Sequence, residues 1–251
     1  MWLVLCSKED TSGFWAYQGL RARGLNPLEL VTADLLTENA KWEHTVGTDG
    51  AHIKITLSDG RVIDNRQVRG VLNRLTHVPL QHLAGAPDFE YATQEYSALF
   101  MSWLNALPKP VFNGADAQGL SGAWRHVSEW VWLAAQAGLP TPCYKQTSED
   151  QIDETKELRR LLPPGTPTMM VFTVGDRVIA SALPPSVRKG CAELARLSNT
   201  PLLGIELAVA PSTRTLVFAG ATPMPDLHLG GEALLDALAI SLYQGESGGR
   251  S

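Results

Sequence analysis

The chain has 251 residues, of which 44% are apolar and 19% are charged, a composition typical of a folded globular protein. A chain of this length can bury roughly 70 to 75% of its unfolded surface, so collagen-like, disulfide-scaffold and wholly disordered classes are excluded. The formal net charge of -5 and the lack of a basic cluster in the sequence argue against nucleic acid as a partner.

The location of the protein is predicted from its apolar segments and its cysteines. No apolar stretch approaches the roughly 18 residues that cross a membrane, and the first residues lack the basic leader and the cleavage site of a signal peptide. We therefore expect a cytoplasmic protein with no membrane partner. Cys6, Cys143 and Cys191 lie too far apart for a disulfide framework or a thiolate metal site, so buried thiols are expected.

The first segments alternate between strand and helix patterns. Residues 2–6 form a continuous apolar run typical of a central strand in a parallel sheet. A helix is predicted between Ser12, a candidate N-cap, and Gly24, a candidate C-cap glycine, and a strand is predicted over 25–31. This order gives a β-α-β unit, which a short helix follows over 35–42.

The remaining elements are predicted from periodicity and turn residues. Asp59-Gly60 between runs of alternating apolar and polar residues predicts a β-hairpin over 52–64. The other predicted elements are, in chain order, a strand over 68–75, a helix over 88–106, a strand over 111–113, a helix over 121–137, a small strand over 141–145, a polar surface helix within 147–166, a second hairpin over 168–183, a helix over 186–197, two paired strands over 202–210 and 215–221, and a closing helix over 232–243.

Short catalytic signatures are missing from the sequence, including the P-loop, G-x-S-x-G, H-E-x-x-H and C-x-x-C. His77 and His82 are near neighbours, but no acid or thiol stands at a ligand spacing beside them, so we interpret them as solvated loop side chains. Glycines after Asn113 and over 119–122 precede a helix. They could offer backbone N–H groups to a phosphate, and ordinary turn chemistry accounts for them as well.

The order of the segments resembles the ATP-grasp superfamily, especially the maturases that modify ribosomally made peptides. Three stretches carry this resemblance: 68–75 followed by a helix with Glu95, 111–113 followed by 123–142, and 201–242. It covers nearly the whole chain. It implies an α/β fold with an amino-terminal β-α-β pre-ATP-grasp-like domain over 1–115, a reduced ATP-grasp-like α+β domain over 116–245, and a disordered tail over 246–251.

The sequence departs from the family pattern where the family binds metal. In active members, a carboxylate on one strand and the Glu and Asn of a Glu-x-Asn motif hold Mg²⁺, a hard ion that takes oxygen ligands, against the nucleotide phosphates. Matching Pro223 to the family proline puts Gly220 at the Glu position and Thr222 at the Asn position, whereas Glu206 retains an acid in the first strand. The resemblance therefore implies a degenerate site with no metal, no cofactor and no catalytic residues.

A second departure and several binding candidates lie elsewhere in the chain. Family enzymes carry a nucleotide-binding lysine and a Gly-rich flap after the strand that 141–145 resembles, and too few residues follow Lys145 to build that flap. The family often places substrate-contacting arginines where Arg69 and Arg74 stand, although a surface ion pair explains them about equally well. Trp42 stands in a polar setting and is a candidate partner contact. The binding candidates are Arg69, Arg74, Glu95, Asn113, Lys145, Arg177 and Asp226.

The leading hypothesis is a non-catalytic ATP-grasp-like protein that binds a peptide or protein partner as an accessory factor in a modification pathway, with a homodimer left open. One alternative is an ATP-dependent carboxylate-amine ligase with an atypical metal site. Only this ligase alternative requires ATP and Mg²⁺. Glu206, Asp226 and Glu232 would then bind the metal ion, and Arg177 or Lys145 would bind the phosphates. The other alternative is a small-molecule sensor that uses the residual nucleotide cleft. The residues at the site, and not the fold, must decide among the three.

Overall fold

The computed structural model describes residues 1–48, 50–80, 85, 87–144, 166–210 and 214–248. It divides into two compact units, of which unit 1 comprises Met1–Ala123 with Leu235–Ser251 and unit 2 comprises Trp124–Leu234. Strands and helices occur in both units, which confirms the predicted α/β class. None of the helices within these ranges is long and apolar enough to cross a membrane.

The elements are numbered here in chain order. The strands are β1 (Trp2–Cys6), β2 (Leu28–Thr32), β3 (Lys41–Gly47), β4 (Gly50–Thr56), β5 (Val62–Asp64), β6 (Gly70–Asn73), β7 (Val111–Phe112), β8 (Thr168–Val174), β9 (Arg177–Ile179), β10 (Leu202–Val209) and β11 (Leu216–Thr222). The α-helices are α1 (Thr11–Ala22), α2 (Ala33–Thr37), α3 (Phe89–Ala106), α4 (Val127–Gln136), α5 (Pro185–Leu197) and α6 (Gly231–Gly248). Short 3-10 helices span Asn65–Gln67 and Leu227–Gly230.

Unit 1 is built around a four-stranded parallel sheet in the order β2-β1-β6-β7. All five residues of β1 are buried, as the apolar run predicts for a central strand. Helix α1 connects β1 to β2, so the predicted β-α-β unit is confirmed. The N-cap of α1 is Asp10 and not the predicted Ser12, because the Asp10 side chain accepts a hydrogen bond from the Gly13 N–H.

A three-stranded antiparallel sheet, β3-β4-β5, packs beside α3 in the same unit. The β4–β5 hairpin confirms the Asp-Gly signal, and α3 confirms the predicted helix over 88–106. The helix predicted over 35–42 is wrong in its second half, because α2 ends at Thr37 and β3 begins at Lys41.

Tertiary packing of Trp42 explains why β3 replaces a helix. Its indole Nε1 donates a hydrogen bond to the Leu36 carbonyl at 2.9 Å, and its ring lies 5.4 Å from that of Phe100 and 5.6 Å from that of Trp103. Aromatic contacts of this kind outweigh the small differences in intrinsic helix propensity. Trp42 therefore packs against the core of unit 1 while it stays partly exposed, and its role as a partner contact stays a prediction.

Unit 2 contains a four-stranded antiparallel sheet in the order β11-β10-β8-β9. It includes the predicted second hairpin and the predicted pairing of the last two strands. Helix α4 begins at Val127, later than predicted, and Trp124, which precedes this helix, is 68% exposed. Residues 141–144 form no strand, and the polar segment predicted as a surface helix lies almost entirely outside the described residues.

The last helix, α6, begins in unit 2 and continues into unit 1. Its part in unit 1 packs on the parallel sheet and on α1. The indole of Trp2 donates to the Leu242 carbonyl at 3.4 Å, the Arg23 guanidinium lies 2.7 Å from the Asp236 carboxylate, and the Leu235 side chain lies against Gly19. Long-range contacts therefore fix this helix to the first elements of the chain.

The buried amide of Asn73 ties together the carboxyl ends of β6 and β7. Its Nδ2 donates to the carbonyls of Asn113 at 2.9 Å and Leu120 at 2.6 Å, and its Oδ1 accepts from the Leu75 N–H at 3.2 Å. The Asn73 side chain is fully buried, so water cannot take over these hydrogen bonds when the side chain is removed.

We expect Asn73→Ala to lower the free energy of unfolding by about 2 to 4 kcal/mol, because it leaves buried backbone groups without partners. Urea unfolding followed by tryptophan fluorescence measures the change. The matched control is Asn105→Ala on exposed α3 surface, where Nδ2 donates to the Met101 carbonyl and water can replace it. Equal effects of the two substitutions would contradict the role given to Asn73.

The cysteines differ in exposure, which corrects the expectation of three buried thiols: Cys6 and Cys191 are buried and Cys143 is exposed. Burial, together with the nearby Asp10 carboxylate, raises the pKa of Cys6 to about 12. Burial raises the pKa of Cys191 to about 11.

Since the thiolate is the nucleophile, we expect iodoacetamide at about pH 8 to modify Cys143 in the native protein and the other two cysteines only after unfolding. Peptide mapping by mass spectrometry checks this, and rapid native labelling of Cys191 would refute it.

Candidate functional site

The sheet of unit 2 has one face packed against α4 and α5, and the opposite face, which neither helix covers, is called the open face here although Leu202, Gly204 and Ala208 on it are buried. Side chains from α4 and α5 form a hydrophobic cluster with those of the sheet, and the sheet's members in that cluster are Val171, Leu203, Ile205, Leu207 and Phe218. Side chains alternate between the two faces of a strand. Gly204 and Glu206 of β10 therefore lie on the opposite, open face.

The predicted metal-site positions come together on this open face. Glu206 of β10 pairs directly with Gly220 of β11, and Gly204 pairs with Thr222 two residues along. A β-bulge follows Glu206, because Leu207 pairs with Phe218 and leaves the intervening residue of β11 unpaired. The strand register therefore puts a glycine directly across from the Glu206 carboxylate.

The residues around Glu206 do not fit a magnesium ion. Gly220 offers no side chain, and the Thr222 hydroxyl accepts the Met224 N–H at 3.1 Å. The Asp226 carboxylate accepts the His228 N–H and lies 2.7 Å from Nδ1 of the same histidine. In the ranges that the structure describes, no three or more His, Cys, Asp or Glu side chains are grouped to hold a metal ion, so Asp226 and Glu232 do not complete a ligand set with Glu206.

The segment after β11 covers part of the open face. A Cβ atom on Gly204 would lie 2.6 Å from the Pro225 side chain, so glycine permits this close approach. Phe172 of β8, which pairs with Gly204, is 2% exposed, and Leu227 in the following 3-10 helix is fully buried. Apolar side chains of the chain itself therefore occupy the sheet surface next to Glu206, where a ligand would otherwise lie.

Arg74 is buried in an ion pair at the carboxyl edge of the parallel sheet in unit 1. Its Nε donates to Asp10 Oδ2 at 2.6 Å and its Nη2 donates to Asp10 Oδ1 at 3.1 Å, and its side chain is only 5% exposed. Asp10 also accepts the Gly13 N–H at 3.1 Å, and a Cβ on Gly13 would lie 2.9 Å from this carboxylate. Arg74 therefore holds the start of α1 against β6 through an ion pair that is buried, whereas the sequence alternative was an ion pair on the surface.

The other sequence candidates are separated along the fold. The Arg69 guanidinium lies 5.2 Å above the Trp2 ring, and Glu95 is exposed on α3. Asn113 is buried in a left-handed turn with φ 56. Arg177 is exposed at the start of β9, and Lys145 lies outside the described residues. Arg69, Glu95 and Asn113 therefore belong to unit 1, whereas Arg177 and Glu206 belong to unit 2.

In the glycine-rich loop before α4, the side chain of Asp116 binds backbone N–H groups of the same loop. The Asp116 carboxylate accepts the N–H of Gln118 at 2.8 Å and that of Gly119 at 3.1 Å. This Asx-type arrangement favours the turn interpretation over a phosphate site.

Sequence reasoning missed a cleft in unit 1 that is lined by residues directly after β1, β2 and β6. Its residues are Ser7, Lys8, Glu9, Ala33, Asp34, Glu38, His77 and Pro79. Ligands of open parallel sheets bind outside the carboxyl ends of the strands, so the predicted β-α-β unit was the signal that could have found it.

Solved structures of peptide-modifying ligases match the fold over nearly the whole chain. The macrocyclase MdnC bound with precursor peptide MdnA, from Microcystis aeruginosa MRC, is 15% identical to this chain, with a TM-score of 0.73. The match covers 97% of this chain and 99% of the MdnC chain. The ATP-grasp ligase PsnB complexed with precursor peptide PsnA2 and AMPPNP is 16% identical, with a TM-score of 0.68 and coverage of 98% and 97%. A RiPP-associated ATP-grasp ligase from Chryseobacterium gregarium, in complex with ADP and a leader and core peptide, is 12% identical, with a TM-score of 0.70 and coverage of 97% and 96%.

No protein-family model matches the sequence, and no curated protein matches it. At 12 to 16% identity, the three structures establish that this chain has the fold of ATP-grasp ligases. They confirm the resemblance that the order of segments predicted. Activity has to be argued from the residues at the site, because one fold can carry several functions.

We expect Arg74→Met to lower the free energy of unfolding by about 3 kcal/mol, because it leaves the Asp10 carboxylate buried without its partner. The double variant with Asp10→Asn should recover part of this loss, since asparagine still caps α1 and carries no charge. Urea denaturation of the single and double variants measures the coupling. The control is Arg196→Met, which breaks an exposed pair with Glu193 that solvent screens. Additive effects at Arg74 and Asp10 would contradict the pairing.

Proposed function

We propose that this chain is a non-catalytic protein of the ATP-grasp fold that binds a peptide partner, as an accessory factor in peptide modification. The observation that carries the proposal is the pairing of Glu206 with Gly220, which puts a glycine across from the remaining acid. Phosphoryl transfer depends on positioning and on neutralising phosphate charge by metal ions and cationic side chains. One carboxylate beside an apolar cover does not supply that arrangement.

The peptide part of the proposal is supported by the similar structures. MdnC, PsnB and the Chryseobacterium gregarium ligase were each solved with a peptide bound. The matches to these three structures cover 97 to 98% of this chain. This chain has the whole fold, but other residues stand at the metal-ligand positions. We therefore expect it to keep peptide binding and to lose catalysis.

An ATP-dependent carboxylate-amine ligase with an atypical site is the second candidate. Glu206 favours it, because this side chain is half-buried on the open face and forms no hydrogen bond or ion pair with the residues that the structure describes. A free carboxylate at this position could still contribute to binding a metal-nucleotide complex. The two candidates differ in whether ATP is bound and consumed.

Titration calorimetry of the full chain with Mg-ATP tests the proposal directly. We expect no binding of micromolar strength and no ADP release in the presence of peptide, because the ligands for a metal-bound triphosphate are replaced. Micromolar binding of Mg-ATP, or ADP release that Glu206→Gln abolishes and Asp176→Asn on the exposed β8–β9 turn leaves intact, would establish the ligase instead.

Peptide binding is tested separately with a random peptide library displayed on mRNA and selected on the immobilised full chain without nucleotide. We expect enriched sequences whose affinity, measured by fluorescence anisotropy, is unchanged by Mg-ATP and by Glu206→Gln. A library that yields no binding sequence after repeated selection would overturn the peptide-binding proposal.

A further inference from the structure

The cleft in unit 1 has a volume of about 280 Å³ and is open to solvent. Its walls come from three separate segments: Ser7, Lys8 and Glu9 follow β1, Ala33, Asp34 and Glu38 belong to α2 or its end after β2, and His77 and Pro79 follow β6. Since β2, β1 and β6 are adjacent and parallel, all three segments meet at the carboxyl edge of one sheet. Open α/β sheets bind their ligands in a crevice at this edge.

The charges on the cleft walls are predominantly negative. Glu9, Asp34 and Glu38 contribute three carboxylates and Lys8 contributes one ammonium group, which gives a formal charge of -2 when His77 is neutral. In the described part of the chain, none of these four charged side chains forms an ion pair. A concave surface of one predominant sign attracts ligands of the opposite sign.

Three acidic side chains of the same unit, outside the cleft, are paired with arginines. Asp10 is paired with Arg74, and both Glu29 and Asp59 are paired with Arg61, each at 2.6 to 2.7 Å. Those carboxylates are neutralised by the protein itself. The three carboxylates of the cleft are available to a ligand.

The size of the cleft limits the ligand to a small group. Its volume is just below the range of about 300 to 1,000 Å³ that is typical of sites for drug-sized molecules. Two apolar residues, Ala33 and Pro79, also line it and could contact an aliphatic stem. A primary ammonium on a short hydrocarbon chain matches both the charge and the walls.

We propose that this cleft binds a lysine side chain of the peptide partner, with Glu9, Asp34 and Glu38 facing its ammonium group and Lys8 or Ser7 donating to a carbonyl oxygen of the same peptide. The inference rests on the proposed function for the source of the lysine. It adds a sequence preference, namely that peptides bound by this chain carry a basic residue.

The probe for the cleft is Nα-acetyl-lysine N-methylamide, titrated at millimolar concentration into the uniformly ¹⁵N-labelled full chain at low salt. We expect saturable shifts of the backbone amides of Lys8, Glu9, Glu38 and His77. The norleucine analogue, which has the same carbon chain and no amine, should leave these amides unchanged. Equal shifts with both compounds, or no shift with the lysine compound, would overturn the proposal.

Variants separate charge recognition from adventitious binding. We expect Glu9→Gln with Glu38→Gln to weaken the lysine compound about tenfold, within the range that a few partly exposed ion pairs contribute. The matched control is Glu43→Gln with Glu90→Gln, which removes two exposed carboxylates of unit 1 outside the cleft. Equal affinity of the two double variants would refute the inference.

The selected peptides distinguish this inference from the proposed function. Some selected peptides could keep their affinity when their lysine is replaced by norleucine, or when the chain carries both Glu9→Gln and Glu38→Gln. Either result would overturn the lysine site and leave peptide binding intact. Failure to select any peptide would count against the proposed function, whatever the small compound does.

Discussion

The pairing of β10 with β11 is the constraint on which the interpretation of unit 2 depends. It divides alternate residues between a face packed on α4 and α5 and an open face, and it puts Glu206 directly across from Gly220. Because a β-strand alternates strictly, neither residue can change faces without moving the apolar side chains of the core. The absence of a second acid at this register position is therefore a property of the framework, and a side-chain rotation cannot restore it.

Burial decides what the charged residues of unit 1 can do. Arg74 has the chemistry of a carboxylate-binding residue, but a bidentate bond to Asp10 commits it to fixing α1 at the sheet edge. Removing it would leave a charge in a poorly solvated position, which is a structural penalty. The carboxylates of Glu9 and Glu38 stay exposed, so they can bind an external cation without first breaking an internal pair.

Elements determined by local sequence were predictable, and elements determined by distant contacts were not. The β-α-β unit, the hairpin at Asp59-Gly60 and the helix over 88–106 follow from turn residues and periodicity. Strand β3 depends on Trp42 packing against Phe100, and the role of Arg74 depends on Asp10, 64 positions away. At the candidate site, the pairing of Gly220 with Glu206 and the cover of Pro225 over Gly204 required the fold, because both depend on contacts between segments that the sequence does not fix.

The distribution of charge favours a cationic ligand over an anionic one. A nucleotide site has to gather several carboxylates around metal ions and bring cations to the phosphates, which demands both signs at one place. Among the described residues, the open face of unit 2 carries the carboxylate of Glu206, while the cleft of unit 1 gathers three carboxylates around a small volume. Such a cleft repels a triphosphate and attracts an amine, because the sign of the local potential is set by its unpaired groups. A basic side chain satisfies that potential without a metal ion, because its own charge balances the carboxylates.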